Sequence, residues 1–127
     1  KIASGGELSR VMLALKCVLA KKDFIDTVIF DEVDAGIGGI AAEAVAKKIK
    51  ELSGHHQVVC ITHLPQIASC GQVHFQVVKE QTDGRTNTKI AQLDGGARIA
   101  ELARMLDGDS VSDGSMAFAR ELVSRNG

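Results

Sequence analysis

The chain has 127 residues, enough for one domain with a modest core, and 45% of them are hydrophobic. Its net charge of -1 excludes a general electrostatic attraction to nucleic acid, so any contact with DNA must be local or lie outside this chain. The cysteines Cys17, Cys60 and Cys70 form no CxxC pair, and no stretch is apolar for long enough to cross a membrane. We therefore expect free thiols in a reducing, cytoplasmic compartment.

The first predicted element is a helix that follows a glycine turn. Apolar residues recur at helical spacing over residues 7–20. Gly5 and Gly6 are expected to break regular structure before this helix. Ser4 is suited to cap the helix, with Glu7 three residues later as in a capping box.

Two short apolar runs predict buried strands. Residues 27–30 and 57–62 are continuous apolar segments, which are typical of parallel strands covered on both faces. Residues 40–52, between them, form an Ala-rich amphipathic pattern that predicts a helix. The three elements predict a βαβ unit with a right-handed crossover, and therefore an α/β fold with a parallel core.

The pattern changes in the last third of the chain. Residues 73–79 and 86–93 predict an antiparallel hairpin around the turn signal Asp83-Gly84. Residues 97–106 and 115–124 predict two closing helices. Residues 73–93 carry no recognisable chemistry, and we interpret them as scaffold.

Acidic side chains and a histidine follow the two predicted strands. Ligands of open α/β sheets bind at the carboxyl ends of the strands, where Asp31 and Glu32 follow the first strand and His63 the second. Asp31 is suited to hold Mg²⁺, and Glu32 to orient or deprotonate an attacking water. His63 is suited to hydrogen-bond a γ-phosphate or that water. The alternatives are a solvated carboxylate pair and a histidine that only caps a strand end.

The glycine turn is a candidate phosphate contact. Glycines let backbone N–H groups approach a phosphate, and the helix start beyond Gly6 adds free donors and a positive dipole end. Ser4 adds a hydroxyl. The alternative is an ordinary glycine-rich helix start. The chain contains no Gly-Lys-Ser/Thr loop that would grip a nucleotide by itself, and residues 36–39 are interpreted as a turn.

Together these motifs resemble the ATP-binding cassette head, specifically its SMC-like branch and the RecN family of bacterial double-strand-break repair ATPases. Residues 4–7 resemble the signature motif, and residues 28–32 resemble Walker B with its catalytic glutamate. Asp34 resembles the D-loop aspartate, and His63 the switch histidine. The stretches 4–10, 31–39 and 62–68 carry the resemblance to the RecN family, which covers nearly the whole chain.

The resemblance implies a partial P-loop NTPase head from the C-terminal part of a longer polypeptide. The Walker A lobe and the coiled coil of such proteins are absent from this sequence, which also does not begin with methionine. One head domain would then span residues 1–127. Asp31 would bind Mg²⁺. Glu32 and His63 would be catalytic residues for the ATP held on their own head.

A second group of residues is assigned to the opposite head. In the family, ATP lies between two heads, so the signature residues would cover the γ-phosphate of the nucleotide bound to a second copy. These residues are Ser4, Gly5, Gly6 and Glu7. Asp34 would contribute to nucleotide binding from the head–head interface.

The expected function is therefore an ATP-binding and hydrolysis half-site in DNA repair and recombination, with ATP and Mg²⁺ as cofactors. The expected partners are a second head in a homodimer, the protein's own N-terminal Walker A lobe and, through the full-length protein, DNA. No membrane is expected, and the location would be the bacterial cytoplasm at the nucleoid. The chain alone should have little or no ATPase activity, and its missing strands should leave a sheet edge and apolar surface exposed.

Two other interpretations remain open at this point. The chain could belong to the head of another SMC-like ATPase or to a transporter cassette, although Glu7 and the lack of membrane features count against a transporter. It could also be a non-catalytic interaction module on the same fold. The intact set of Asp31, Glu32 and His63 counts against that second interpretation.

Overall fold

The computed structural model describes residues 4–22 and 24–126, which fall into two compact units divided between Cys70 and Gly71. The first unit contains, in chain order, α1 (Gly5–Leu19), β1 (Thr27–Asp31), α2 (Gly39–Leu52), β2 (Gln57–Ile61) and the short α3 (Pro65–Ala68). Both helices and strands are present, so the predicted α/β class is confirmed. The assignment of both units to a single head domain stays a prediction.

The two strands of the first unit are parallel neighbours. Thr27 pairs with Gln57 and Asp31 pairs with Ile61, with no offset in between. This pairing confirms the prediction of adjacent parallel strands flanking a helix. As a consequence, both strands end at the same edge of the sheet, next to the segments that follow Asp31 and Ile61.

One face of this sheet forms the core of the unit. Phe30 of β1 is only 3% exposed, and it packs in a cluster with Leu13 of α1 and Leu52 at the end of α2. The remaining buried members of the cluster are Ala20, Val28 and Val33. Burial of these aliphatic and aromatic side chains stabilises the unit by holding α1 and α2 against the same face of the sheet.

The other face of the sheet is exposed, which corrects one prediction. The continuous apolar runs predicted strands covered on both faces, but Ile29 is 66%, Val59 43% and Ile61 56% exposed. Burial in β1 alternates instead of being continuous. Within residues 4–22 and 24–70 of the first unit, no helix or strand covers these three side chains. The predicted exposure of apolar surface is thereby confirmed.

Helix α1 also exposes much of its apolar surface. Its apolar residues recur every three or four positions, and six of them are between 48% and 81% exposed. They are Leu8, Val11, Met12, Leu15, Val18 and Leu19. Only Leu13 and Gly6 of this helix are buried. In the described part of the chain, no helix combines the length and the apolar character needed to cross a membrane.

The start of α1 differs from the prediction in one respect. Gly5 and Gly6 do not break the helix but form its first turn. The predicted cap is present, because the Glu7 backbone N–H donates to the Ser4 hydroxyl oxygen at 3.1 Å. This bond satisfies one of the donors that have no partner inside the helix, so the helix can begin at the glycines.

The second unit is a hairpin followed by two helices. Strands β3 (His74–Thr82) and β4 (Arg85–Leu93) are antiparallel, and α4 (Gly95–Asp107) and α5 (Asp113–Asn126) follow. The predicted turn is present: Asp83 and Gly84 both have positive φ, of 52° and 73°, which matches the twist of a two-residue hairpin.

A buried ionic cluster fixes α4 against β3. Glu101, which is 8% exposed, accepts two bonds from the Arg104 guanidinium, at 2.6 and 2.8 Å, and one from the Gln76 amide at 2.7 Å. The bonds from Arg104, followed by that of Gln76, lower the pKa of Glu101 against the opposing effect of burial. The buried carboxylate of Glu101 is thereby paired within the unit, which is consistent with the interpretation of this segment as scaffold.

The alternation of burial in β1 leads to a stability prediction. We expect Phe30→Ala to lower the free energy of unfolding by about 3–5 kcal/mol, because it leaves a cavity in the core. The matched control is Ile29→Ala on the neighbouring, 66% exposed residue, which should cost less than about 1 kcal/mol. Urea denaturation of both variants measures the difference, and equal losses would contradict the one-sided burial of the sheet.

Candidate functional site

The two carboxylates at the end of β1 sit on a backbone turn. Asp31 is the last residue of the strand, and Glu32 has a φ of +61°, a conformation that costs a non-glycine residue about 1–2 kcal/mol. The Glu32 carbonyl accepts a bond from the Ala35 N–H at 3.0 Å, which closes the turn. Both side chains are exposed. The strand therefore ends before the regular alternation would place Glu32 on its opposite face.

Asp34 is the buried member of this segment. It is 2% exposed, and its Oδ2 atom accepts bonds from the Thr62 hydroxyl at 2.6 Å and from the His63 backbone N–H at 2.8 Å. The same oxygen lies 3.1 Å from Nδ1 of the His63 ring. Burial by itself would raise the pKa of Asp34, but the bonds from Thr62 and His63 outweigh it and lower the pKa. Asp34 therefore stays ionised and joins the segment after β1 to the segment after β2.

Thr62 completes this connection. Besides donating to Asp34, its hydroxyl oxygen accepts a bond from the Leu64 N–H at 3.1 Å. The sequence contained Thr62 next to the candidate histidine but gave no indication of its partner. The partner is 28 positions away in the chain, and only the parallel pairing of β1 with β2 brings the two together.

Two residues of α1 dock the helix on the turn after β1. The Ser9 hydroxyl donates to the Asp31 carbonyl at 2.7 Å. The Arg10 guanidinium donates to the carbonyls of Val33 and Ala35, at 3.2 and 2.7 Å. Neither residue was singled out from the sequence. Periodicity could not have identified them, because it predicts burial of the apolar stripe of α1, whereas the side that is buried is the one with Gly6 and Leu13.

The glycines at the start of α1 allow this docking to be close. Gly6 is buried, and a Cβ at this position would lie 2.8 Å from Cβ of Ala35 and 2.9 Å from its carbonyl oxygen. A Cβ at Gly5 would collide with the carboxylate of Glu32. The structure thus brings the glycine turn and the candidate general base Glu32 together within one chain.

The contact that His63 makes within the chain is with Asp34. In the described part of the chain, no hydrogen bond or ion pair joins His63 to Asp31 or Glu32, although all three follow the same sheet edge. The His63 side chain is 76% exposed, and its Nδ1 atom is the ring atom that lies in ionic contact with Asp34. The assigned roles of Asp31, Glu32, Asp34 and His63 toward ATP and Mg²⁺ stay predictions.

The donor set restricts how a metal ion could be held. Within residues 4–22 and 24–126, no group of three or more His, Cys, Asp and Glu side chains is arranged to bind a metal. A closed protein cage is therefore not available in this part of the protein. Asp31, with its exposed carboxylate, fits the mode in which Mg²⁺ takes one protein oxygen and completes its shell with phosphate oxygens and water.

The cysteine next to the site is unreactive. Burial raises the pKa of the Cys60 thiol on β2 to about 12, and the carboxylates of Asp34 and Asp31 add to this effect. Cys17, Cys60 and Cys70 are all free and half-buried, which confirms the prediction of free thiols. Cys60 is therefore a packing residue and not a nucleophile.

Comparison with known proteins finds similarity to the DNA repair protein RecN of several bacteria. No protein-family model matches the chain. The chain is 56% identical over 123 residues to the DNA repair protein RecN of Treponema pallidum, and 46% identical over 125 residues to that of Bacillus subtilis. It is 50% identical over 123 residues to RecN of Mycobacterium leprae. These matches cover 97–98% of the chain but only 21–22% of each relative, so the chain spans about a fifth of their length.

The close approach of Gly6 to Ala35 can be tested by adding one methyl group. We expect Gly6→Ala to lower the free energy of unfolding by about 1–3 kcal/mol, because the new Cβ must displace Ala35 or α1. The matched control is Gly96→Ala in α4, where a Cβ meets nothing within 4 Å. That control should be neutral or stabilising by up to about 1 kcal/mol, because alanine favours helix. Thermal unfolding measures both, and a neutral Gly6→Ala would contradict the docking described for α1.

Proposed function

Because the chain is homologous along 97% of its length to one segment of the DNA repair protein RecN, we propose that it forms part of the ATPase head of a RecN-like repair protein. The single observation that carries the proposal is the meeting of a capped glycine turn with the exposed carboxylates at the end of β1. Phosphate-binding N–H groups and a candidate base at one sheet edge are the components of a nucleotide hydrolysis site.

The site proposed for this chain needs a second lobe. The sequence has no lysine-containing phosphate loop, so the α- and β-phosphates must be held by another part of the protein. The exposed apolar face formed by Ile29, Val59 and Ile61 supports this proposal, because contiguous apolar surface on a protein marks a surface that another segment contacts. We propose that the N-terminal Walker A lobe of the same protein supplies both the cover and the loop.

Each of the three residues of the proposed site has a separate role. Glu32 orients or deprotonates the attacking water, and its exposed carboxylate leaves it accessible for that task. Asp31 holds Mg²⁺, which would neutralise charge on the phosphates. His63 contacts the attacking water or the γ-phosphate from the end of β2. The fold we propose for the complete head is that of an ATP-binding cassette ATPase.

The glycine turn is proposed to act on a second head. In this arrangement Ser4, Gly5, Gly6 and Glu7 cover the γ-phosphate of the nucleotide on the partner head, and ATP binding closes a homodimer. The contact of Gly5 with Glu32 places the turn beside the base of its own chain, so the two arrangements need an experiment that separates them.

The biological setting follows from the homology. We propose that closing and reopening of the heads drives DNA double-strand-break repair and recombination in the bacterial cytoplasm, at the nucleoid. The net charge of -1 gives this segment no general attraction to DNA, so DNA contacts are assigned to the rest of the full-length protein.

The role of Glu32 predicts a specific kinetic defect. In the full-length protein, Glu32→Gln should lower kcat by about 10²–10⁴-fold, because an amide cannot take the proton of the attacking water. Binding of ATP and ATP-dependent dimerisation should persist. ATPase assays and analytical ultracentrifugation measure these properties, with Glu121→Gln on the exposed face of α5 as the control of matched chemistry. Unchanged turnover in Glu32→Gln would exclude the general-base role.

Mixing two inactive variants distinguishes the two arrangements of the glycine turn. Full-length Ser4→Arg and Glu32→Gln proteins should each be inactive alone. If the turn acts on the partner head, a mixed dimer has one site with both defects and one intact site, so an equal mixture should recover roughly a quarter of wild-type activity. No recovery, in a mixture shown by affinity tags to contain mixed dimers, would assign the turn to the nucleotide of its own head.

A further inference from the structure

We propose that Asp34 is a positioning residue that fixes the imidazole of His63 through Nδ1, so that Nε2 is left to accept a hydrogen bond from the attacking water. The inference rests on the proposed function for the catalytic use of the ring. It differs from the role implied by the family resemblance, in which Asp34 acts at the interface between heads.

One oxygen of Asp34 lies close to both the backbone and the ring of His63. This oxygen lies 2.8 Å from the backbone nitrogen of His63 and 3.1 Å from Nδ1 of the same residue. Because the backbone N–H donates to this oxygen and Nδ1 lies in ionic contact with it, the orientation of the ring relative to the chain is restricted. The His63 side chain is otherwise 76% exposed, so little else in the described part of the chain restrains it.

The carboxylate is itself held in place. Asp34 is 2% exposed, and the Thr62 hydroxyl donates to the same oxygen at 2.6 Å. Thr62 is in turn fixed by the Leu64 N–H at 3.1 Å. The position of Asp34 is therefore determined by the backbone on either side of His63, and a buried, rigid carboxylate is well suited to orient a flexible ring.

The protonation of the pair determines what Nε2 can do. Asp34 is ionised, so its oxygen, 3.1 Å from Nδ1, repels the lone pair of an unprotonated Nδ1 and favours the neutral ring that carries its proton there. In a neutral imidazole with its proton on Nδ1, Nε2 carries a lone pair and accepts hydrogen bonds. A neutral His63 therefore binds water through Nε2 as an acceptor, and it donates to a phosphate oxygen only when the ring is protonated. We therefore assign Nε2 of His63 to a hydrogen bond from the attacking water.

The first test reads the tautomer directly. In the ¹⁵N-histidine-labelled chain at a pH where the rings are neutral, the chemical shifts of His63 should show the proton on Nδ1. In Asp34→Asn the negative charge beside Nδ1 is removed, so the population with the proton on Nε2 should rise. His55, which lies on the surface at the end of α2, serves as the internal control and should not change.

The wild-type spectrum alone can overturn the proposal. A neutral His63 that carries its proton mainly on Nε2 would exclude the orientation by Asp34, whether or not the variant folds. An unchanged tautomer in a folded Asp34→Asn would do the same.

The second test distinguishes the positioning of His63 from a role in which Asp34 only connects the segments after β1 and β2. In the full-length protein, Asp34→Asn should lower kcat by about 10²-fold while KM for ATP changes by less than about threefold. The matched control is Thr62→Val, which removes a donor to the same carboxylate but leaves the contact with Nδ1, so it should reduce kcat by a clearly smaller factor. Equal losses in kcat would indicate that Asp34 only ties the two segments together, and would overturn the proposal.

The two tests together also distinguish this inference from the proposed function. Full ATPase activity in Asp34→Asn would overturn the proposal that the ring oriented by Asp34 serves catalysis, even where the tautomer changes. A loss of activity in Glu32→Gln without a loss in Asp34→Asn would support ATP hydrolysis at this edge and overturn the positioning role.

Discussion

A buried carboxylate joins the ends of the two parallel strands, and the rest of the site depends on it. Asp34 is almost inaccessible to water, and an ionised group in that position is stable only if donors replace its hydration. The Thr62 hydroxyl and the His63 backbone N–H supply those donors, and the His63 ring lies in ionic contact with the same oxygen. The segment after β1 and the segment after β2 cannot separate without leaving the carboxylate unsatisfied, so their relative position is fixed.

The same segment carries the docking of α1. The carbonyls of Val33 and Ala35 flank Asp34, and the Arg10 guanidinium binds both of them. Carbonyls in a tight turn have few partners in the backbone, so a charged donor with several N–H groups satisfies them well. Gly6 permits the approach because it has no Cβ. Through these contacts the glycine turn, the two exposed carboxylates and the histidine are held in one arrangement.

The remaining surface of the first unit is apolar on two sides. The exposed face of the sheet and the exposed stripe of α1 are apolar, whereas the face between them is packed. The matched segment is about a fifth of the length of the RecN relatives. In the function proposed above, this unit serves the γ-phosphate end of a nucleotide and a second lobe holds the other phosphates.

The sequence by itself determined the local structure and the motifs. Helical spacing, the Asp83-Gly84 turn, the Ser4 cap and the two apolar runs follow from backbone sterics and side-chain periodicity, which act between near neighbours. The resemblance of the motifs to those of the RecN family also follows from the sequence alone. Only the tertiary structure decided that the sheet is covered on one face and that Gly5 lies against Glu32. It also assigned the partners of Ser9, Arg10, Thr62 and Asp34, because these contacts join residues 22 to 29 positions apart, which periodicity does not encode.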